Sequence, residues 1–195
     1  MPQSGKLIIL SAPSGSGKTT LARHLLSVFP DLGFSVSATT RAKRGHEIEG
    51  RDYSFLSPGR FLELRQQQAF LEWEEVYPGT FYGTLKSSVD ACLSHGRSIL
   101  FDVDVQGAVS IKKAYGELAL SVFVDAGGID VLEQRLRNRK TESDDRILMR
   151  LAKARMELEM APLFDYIQAN RDLNEACAQL TEKVRSFLAQ PITQT

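Results

Sequence analysis

The chain has 195 residues, the length of one domain or of one domain with an inserted lobe. Apolar residues are 43% and charged residues 25%, the mix of a globular protein that buries most of its apolar surface in one core. Its 24 basic and 24 acidic side chains cancel, which excludes a surface built as a whole to bind nucleic acid or anionic membrane.

Residues 7–10 (Leu-Ile-Ile-Leu) form the longest unbroken apolar run, far short of a membrane span or signal core, so the chain reads as cytoplasmic. That run ends in a Gly/Ser-rich turn and predicts a buried strand. Leu21, Leu25, Leu26 and Phe29 then recur at helical spacing over residues 19–29. Residues 34–38, 53–56, 71–77 and 81–85 are short, aromatic and rich in β-formers. Ser57-Pro58 predicts a short helix with Phe61 and Leu64 inward, from its cap residue and its proline at the first position. Strands follow at 99–103 and 118–124, with a helix at 106–115 between them. Ile129, Leu132 and Leu136 mark another helix. Ile147, Leu148, Leu151, Ala154 and Leu158 lie on one face of a longer one, begun by Asp144 or Asp145. Residues 138–145 are wholly polar and read as the connection between those helices. A strand at 166–169 and a helix at 173–188 complete the pattern. Strands alternating with helices predict an α/β domain with a parallel sheet, interrupted at 34–95 by a small mixed lobe. Cys92 and Cys177 are far apart, without metal-ligand spacing, and read as small apolar residues of a reducing compartment.

Ala12-Pro13-Ser14-Gly15-Ser16-Gly17-Lys18-Thr19 is a Walker A turn in all but its first position, where Ala12 replaces Gly. Small residues from Ser14 to Gly17 let successive backbone N–H groups converge on a phosphate, and the helix start adds its dipole. Lys18 reaches the β- and γ-phosphates, and the Thr19 hydroxyl can ligate Mg²⁺. Residues 98–102 form an apolar strand ending in Asp102, the Walker B form, which would hold Mg²⁺ through water. Nucleotide binding follows; the phosphoryl acceptor does not.

Arg41, Lys43 and Arg44 place three cations within four positions, and the arginine forks suit phosphate. Here the chain resembles a known family. Ser37-Ala38-Thr39-Thr40-Arg41, Gly50-Arg51-Asp52-Tyr53-Ser54-Phe55, Phe70-Leu71-Glu72-Trp73, Tyr82-Gly83-Thr84 and Asp102-Val103-Asp104-Val105-Gln106-Gly107 look like the serial signature of guanylate kinases, in the family's order. The resemblance runs from about residue 6 to about residue 188.

It implies an α/β P-loop parallel-sheet core with an inserted mixed α+β lobe for the nucleoside monophosphate and a helical lid. The core would take 5–33, 96–130 and 156–190, the lobe 34–95 and the lid 131–155. The implied reaction moves the γ-phosphoryl group of ATP to GMP, and to dGMP, with Mg²⁺. Arg41, Arg44, Tyr53 and Tyr82 would hold the GMP phosphate, and Ser37, Glu72, Thr84 and Asp104 would face guanine. The resemblance assigns ATP to residues 14–20 (Ser14, Gly15, Ser16, Gly17, Lys18, Thr19 and Thr20), with Arg135, Arg139 and Asn170. Catalysis would fall to Lys18, Arg41, Asp102 and the lid arginines Arg135, Arg139 and Arg150.

The chemistry of Glu72 follows from the base. Guanine offers N1–H and an exocyclic amine, two donors for one carboxylate, whereas adenine presents an acceptor at N1. Arg171 departs from the family's adenine-side segment, and Ala42, Lys43 and His46 depart around the second arginine. The expected partners are ATP and GMP, without nucleic acid or membrane, in a monomer or small homo-oligomer. The competing readings are a catalytically silent guanylate-kinase-like interaction module and a related small kinase acting on a phosphorylated sugar. A competent Lys18-Thr19 turn argues against the first, and Glu72 with Thr84 against the second.

Overall fold

The computed structural model describes residues 5–138 and 143–191. Strand β1 (Leu7–Ser11) is buried at every position, as a central strand covered on both faces must be. It runs parallel to β7 (Ile99–Asp102) on one side and β8 (Ala119–Asp125) on the other. With β2 (Gly33–Phe34) and β9 (Tyr166–Ala169) these make a five-stranded parallel sheet in the order β2-β7-β1-β8-β9.

Alternate residues of β1 feed two cores. Ile8 and Leu10 pack with Leu21 and Leu25 of α1 (Lys18–Val28) and with Leu180 and Val184 of α7 (Leu173–Ala189). Leu7 and Ile9 pack on the opposite face with Ala108 and Ile111 of α4 (Val105–Tyr115) and with Phe123. Each of these Leu, Ile, Val and Phe side chains, fully buried, contributes about 1.5–3 kcal/mol. Lys6, at the entrance to β1, ties down the end of α7. Its ammonium donates to the carbonyls of Phe187 (2.5 Å) and Gln190 (2.6 Å), the orphan acceptors of a helix C-terminus.

A second, four-stranded sheet has the order β4-β3-β6-β5, from β3 (Ala38–Thr39), β4 (Ser54–Phe55), β5 (Phe70–Tyr77) and β6 (Thr80–Leu85). Its own small core is Ala38, Phe61, Phe70 and Phe81, with Phe61 stacked on both other rings. Phe61 comes from α2 (Pro58–Gln66), and Ser57 caps that helix by accepting from the Arg60 N–H. The strand expected over 34–38 is divided: Phe34 pairs with Leu100 in the parallel sheet, and Ala38 pairs with Ser54 and Gly83 in the second. An unforeseen helix, α3 (Lys86–Ser94), leads from β6 back towards β7. Its serines, Asp90 and Cys92 are weak helix formers, and only Val89 is buried, so periodicity there is faint.

Helices α5 (Ile129–Asn138) and α6 (Asp144–Glu159) pack on each other through Leu132, Leu136, Ile147 and Leu151. Among the described residues, no helix is long and apolar enough to cross a membrane.

Candidate active site

The order of the parallel sheet sets the site. Strand β1 continues to β7 on one side and to β8 on the other, so a crevice opens beyond the C-terminal ends of the strands, where the connections diverge. The phosphate-binding turn leaves β1 at that crevice. Gly15 and Gly17 hold it at φ 94° and 91°, a region that costs a side chain strain. Lys18 opens α1, and its Nζ lies 2.8 Å from Asp102 Oδ1 at the end of β7 and donates to the Val103 carbonyl at 2.5 Å.

The turn is braced from outside. The Asn170 side-chain amide donates to the Ser16 carbonyl at 2.6 Å, and its backbone N–H donates to the Asp125 carbonyl at 2.7 Å. Arg135 of α5 donates to the Asn170 carbonyl at 2.8 Å and reaches the Ser16 carbonyl at 3.4 Å. Arg150 of α6 donates to the Ser14 hydroxyl at 2.5 Å. Two of the three proposed lid arginines therefore already meet the turn. Arg139 lies outside the described residues. The Ser16 hydroxyl is buried with no hydrogen-bond partner among the described residues, an orphaned polar atom inside the loop.

A second cationic site forms on the smaller sheet. The Arg41 Nε donates to the Tyr82 hydroxyl at 3.2 Å, and the guanidinium lies 5.3 Å from the Tyr53 ring centroid. The Tyr53 and Tyr82 rings meet edge-on at 5.9 Å. Burial pushes the Tyr53 hydroxyl up from its ordinary pKa, so it stays a donor. Glu47 faces Arg41 squarely: Nη1 and Nη2 donate to its two oxygens at 3.1 and 2.6 Å, and the Arg44 N–H donates to it at 2.7 Å. Those hydrogen bonds pull Glu47 down to about 2 and push Arg41 up from its ordinary value. The Arg44 side chain is exposed.

Three of the four residues expected to face guanine, Glu72, Thr84 and Asp104, come together where β5 meets α4. The Thr84 hydroxyl donates to Glu72 Oε1 at 2.6 Å, across the hairpin pair Glu72–Thr84. Burial pushes Glu72 above the usual carboxylate range, against the Thr84 hydrogen bond, with Asp104 and Glu74 adding to the rise. Asp104 caps α4 by accepting from the Gly107 N–H at 2.7 Å. A cleft of about 530 Å³ opens over Glu72, Glu74, Trp73, Asp104 and Gly107. Ser37 is half-buried, one residue before β3, and its carbonyl accepts from the Ser54 N–H at 2.9 Å. Lys153 of α6 reaches across to Glu74 of β5 at 3.4 Å, so that helix and the second sheet touch through charge.

A family model for guanylate kinase matches residues 4–187. The chain belongs to the guanylate kinase family. It is 48% identical over 183 residues to a guanylate kinase of Bacteroides fragilis, covering 94% of this chain and 90% of that one. To a guanylate kinase of Anaeromyxobacter dehalogenans it is 50% identical over 182 residues, covering 93% and 80%. The crystal structure of guanylate kinase from Anaplasma phagocytophilum matches with a TM-score of 0.73 at 29% identity, covering 96% of this chain and 88% of that one.

Within this guanylate kinase framework, three residues went unread in the sequence. Glu47 lies in a polar loop between His46 and Ile48, where nothing periodic marks it as buried. Lys153 belongs to a basic run whose members look alike. Gly107 sits where a Cβ would stand 3.0 Å from Asp104 Oδ1 and 3.4 Å from Glu72 Oε2, so its lack of a side chain keeps the two carboxylates in place.

Proposed function

We infer that the chain is an ATP:GMP phosphotransferase of purine nucleotide metabolism, working in the cytoplasm, with ATP on the turn at residues 14–20 and GMP on the second sheet. The observation that carries the acceptor's identity is Glu72, a half-buried carboxylate held by Thr84 in a cleft beside Asp104. Such a group left unpaired costs far more than one that meets two donors, so a base with donors at N1 and its exocyclic amine is preferred.

The acceptor is a phosphate oxygen, ionised near neutral pH, so the reaction needs no general base. Catalysis is then positioning and charge neutralisation. Lys18 and the arginines Arg135, Arg139 and Arg150 neutralise charge on the transferring group. Arg41, Arg44, Tyr53 and Tyr82 orient the attacking phosphate. Asn170 supports the ATP turn by bracing Ser16.

The donor set suits a hard divalent cation. Asp102 supplies one carboxylate and Thr19 one hydroxyl, and among the described residues no group of three or more acidic, His or Cys side chains could hold a metal. Mg²⁺ takes few protein ligands and keeps waters and phosphate oxygens, which such a sparse set fits. Thr19 and Asp102 are the residues that would hold it, and its chemistry there is charge neutralisation on the β- and γ-phosphates.

A coupled assay of ADP release with ATP and Mg²⁺ tests the reading across GMP, dGMP, AMP, UMP and no acceptor. GMP and dGMP should be turned over and AMP should not. AMP used as readily as GMP would sink the guanine assignment.

A further inference from the structure

An arginine that grips a phosphate with both arms must have both arms free, and Arg41 does not. A guanidinium has five N–H donors. Nη1 gives its two to the Ala42 carbonyl (2.7 Å) and Glu47 (3.1 Å), Nη2 gives one to Glu47 (2.6 Å), and Nε gives its one to the Tyr82 hydroxyl. One N–H of Nη2 is left over. Glu47 is only 8% exposed and holds the Arg44 backbone N–H with the same oxygen that meets Nη1. One carboxylate therefore fixes the plane of the first arginine and the main chain of the second.

We propose that Glu47 is the positioning residue of the GMP-phosphate site, locking Arg41 flat so that its Nε–H polarises the Tyr82 hydroxyl toward the phosphate and leaving the exposed Arg44 side chain as the bidentate arm. The inference rests on the reading of Arg41 and Tyr82 as phosphate ligands. Its physical content is preorganisation. An arginine released from Glu47 must be reordered each time GMP binds, and the Arg44 backbone loses its tether as well. Ordering one rotamer-rich side chain is worth roughly a threefold to tenfold change in affinity.

The test is steady-state kinetics with GMP and ATP varied separately for wild type, Glu47→Gln, Glu47→Ala and Arg41→Ala. Thermal melts accompany them, and guanosine serves as a competitive ligand that carries the base without the phosphate. Glu47→Ala should raise the KM for GMP about tenfold, with kcat and the KM for ATP changing far less. Glu47→Gln should fall between, since its amide oxygen still accepts one of the two Arg41 bonds. Guanosine should inhibit the Glu47 variants as well as it inhibits wild type, because the loss lies at the phosphate.

An unchanged or lowered KM for GMP would overturn the proposal, the lowered value making Glu47 a competitor of phosphate. Equal weakening of GMP and guanosine would also overturn it, reducing Glu47 to a fold-holding residue. If Glu47→Ala does not fold, the isosteric Glu47→Gln carries the same comparison. Arg41→Ala separates the two failures. If it leaves the KM for GMP unchanged, the phosphate-site reading falls and the proposal with it. If it weakens GMP while both Glu47 variants do not, only the proposal falls.

Discussion

Lys18 and Asp102, 84 positions apart in the chain, meet as an ion pair of 2.8 Å in which each side chain is 19% exposed. The turn after β1 and the end of β7 are thus joined by the cation proposed to serve the transferring phosphoryl group. Lys18→Ala removes that charge and leaves Asp102 without its cation. Loss of one such preorganised donor costs about 10²–10³ in turnover, and kcat with GMP should fall by that much. A melt should show a fold little changed, because the pair is partly open to water. A Lys18→Ala enzyme of near-normal kcat would remove Lys18 from the catalytic set.

Glu72 should govern both base choice and a pH response. Its folded pKa is raised by burial, so between the unfolded value and that raised value the folded chain holds more proton. Stability therefore falls as pH rises through that window, while affinity for GMP rises, because the ionised carboxylate accepts from guanine. Glu72→Gln should flatten both trends and narrow the preference for GMP over AMP by about 10² or more. Chemical melts and the KM for GMP across acidic pH measure the two. Parallel trends in wild type and variant would count against Glu72 as the titrating group.

Gly15 and Gly17 share a positive φ but not a neighbourhood. A Cβ on Gly15 makes ordinary contacts of 3.5 Å or more with Leu136, whereas one on Gly17 runs into the Asn170 amide that braces Ser16. Gly15→Ala should cost only backbone strain, about 1–3 kcal/mol. Gly17→Ala should cost that and displace Asn170, raising the KM for ATP well beyond the Gly15 variant. Equal effects in the two variants would mean that the Asn170 brace is unimportant.

Acid should expose the Glu47 pair. Its pKa is depressed from 4.5 to about 2, first by hydrogen bonds from Arg41 and then by the Arg44 N–H. A depressed carboxylate contributes stability that is complete above its unfolded pKa and lost as pH falls through its folded one. The stability difference between wild type and Glu47→Gln should stay level down to about pH 4.5 and shrink toward pH 2. Urea melts at neutral pH and at two acidic values decide it, and a level difference throughout would contradict the depressed value.

The phosphate-binding half was legible because its signals are local. An apolar strand, a glycine turn and Lys-Thr at a helix start are all contiguous, and Asp102 closes an apolar run of its own. The second sheet was harder. Phe34 and Ala38 are both plausible strand residues, and only long-range pairing decides that β7 takes one and β6 the other. Glu47 is a polar residue in a polar loop, and its burial exists only once that loop folds back on Arg41. The resemblance puts Asn170 near the nucleotide, but its hydrogen bonds to the turn depend on β9 lying beside β8, which sequence spacing does not encode.

The division of that early strand has a mechanical side. Ser35 donates from its N–H to the Leu100 carbonyl of β7, and Ser37 accepts through its carbonyl from the Ser54 N–H of the second sheet. Between those fastenings lies one residue, Val36, two positions after the last core-sheet pair. A connection so short has almost no slack. Any swing of the second sheet against the parallel sheet would turn about the backbone of Ser35, Val36 and Ser37 on this side, so the pivot adjoins Ser37, proposed to face the base, and guanine bound there would lie close to the axis while Arg41 and Arg44, proposed for its phosphate, would travel along the arc.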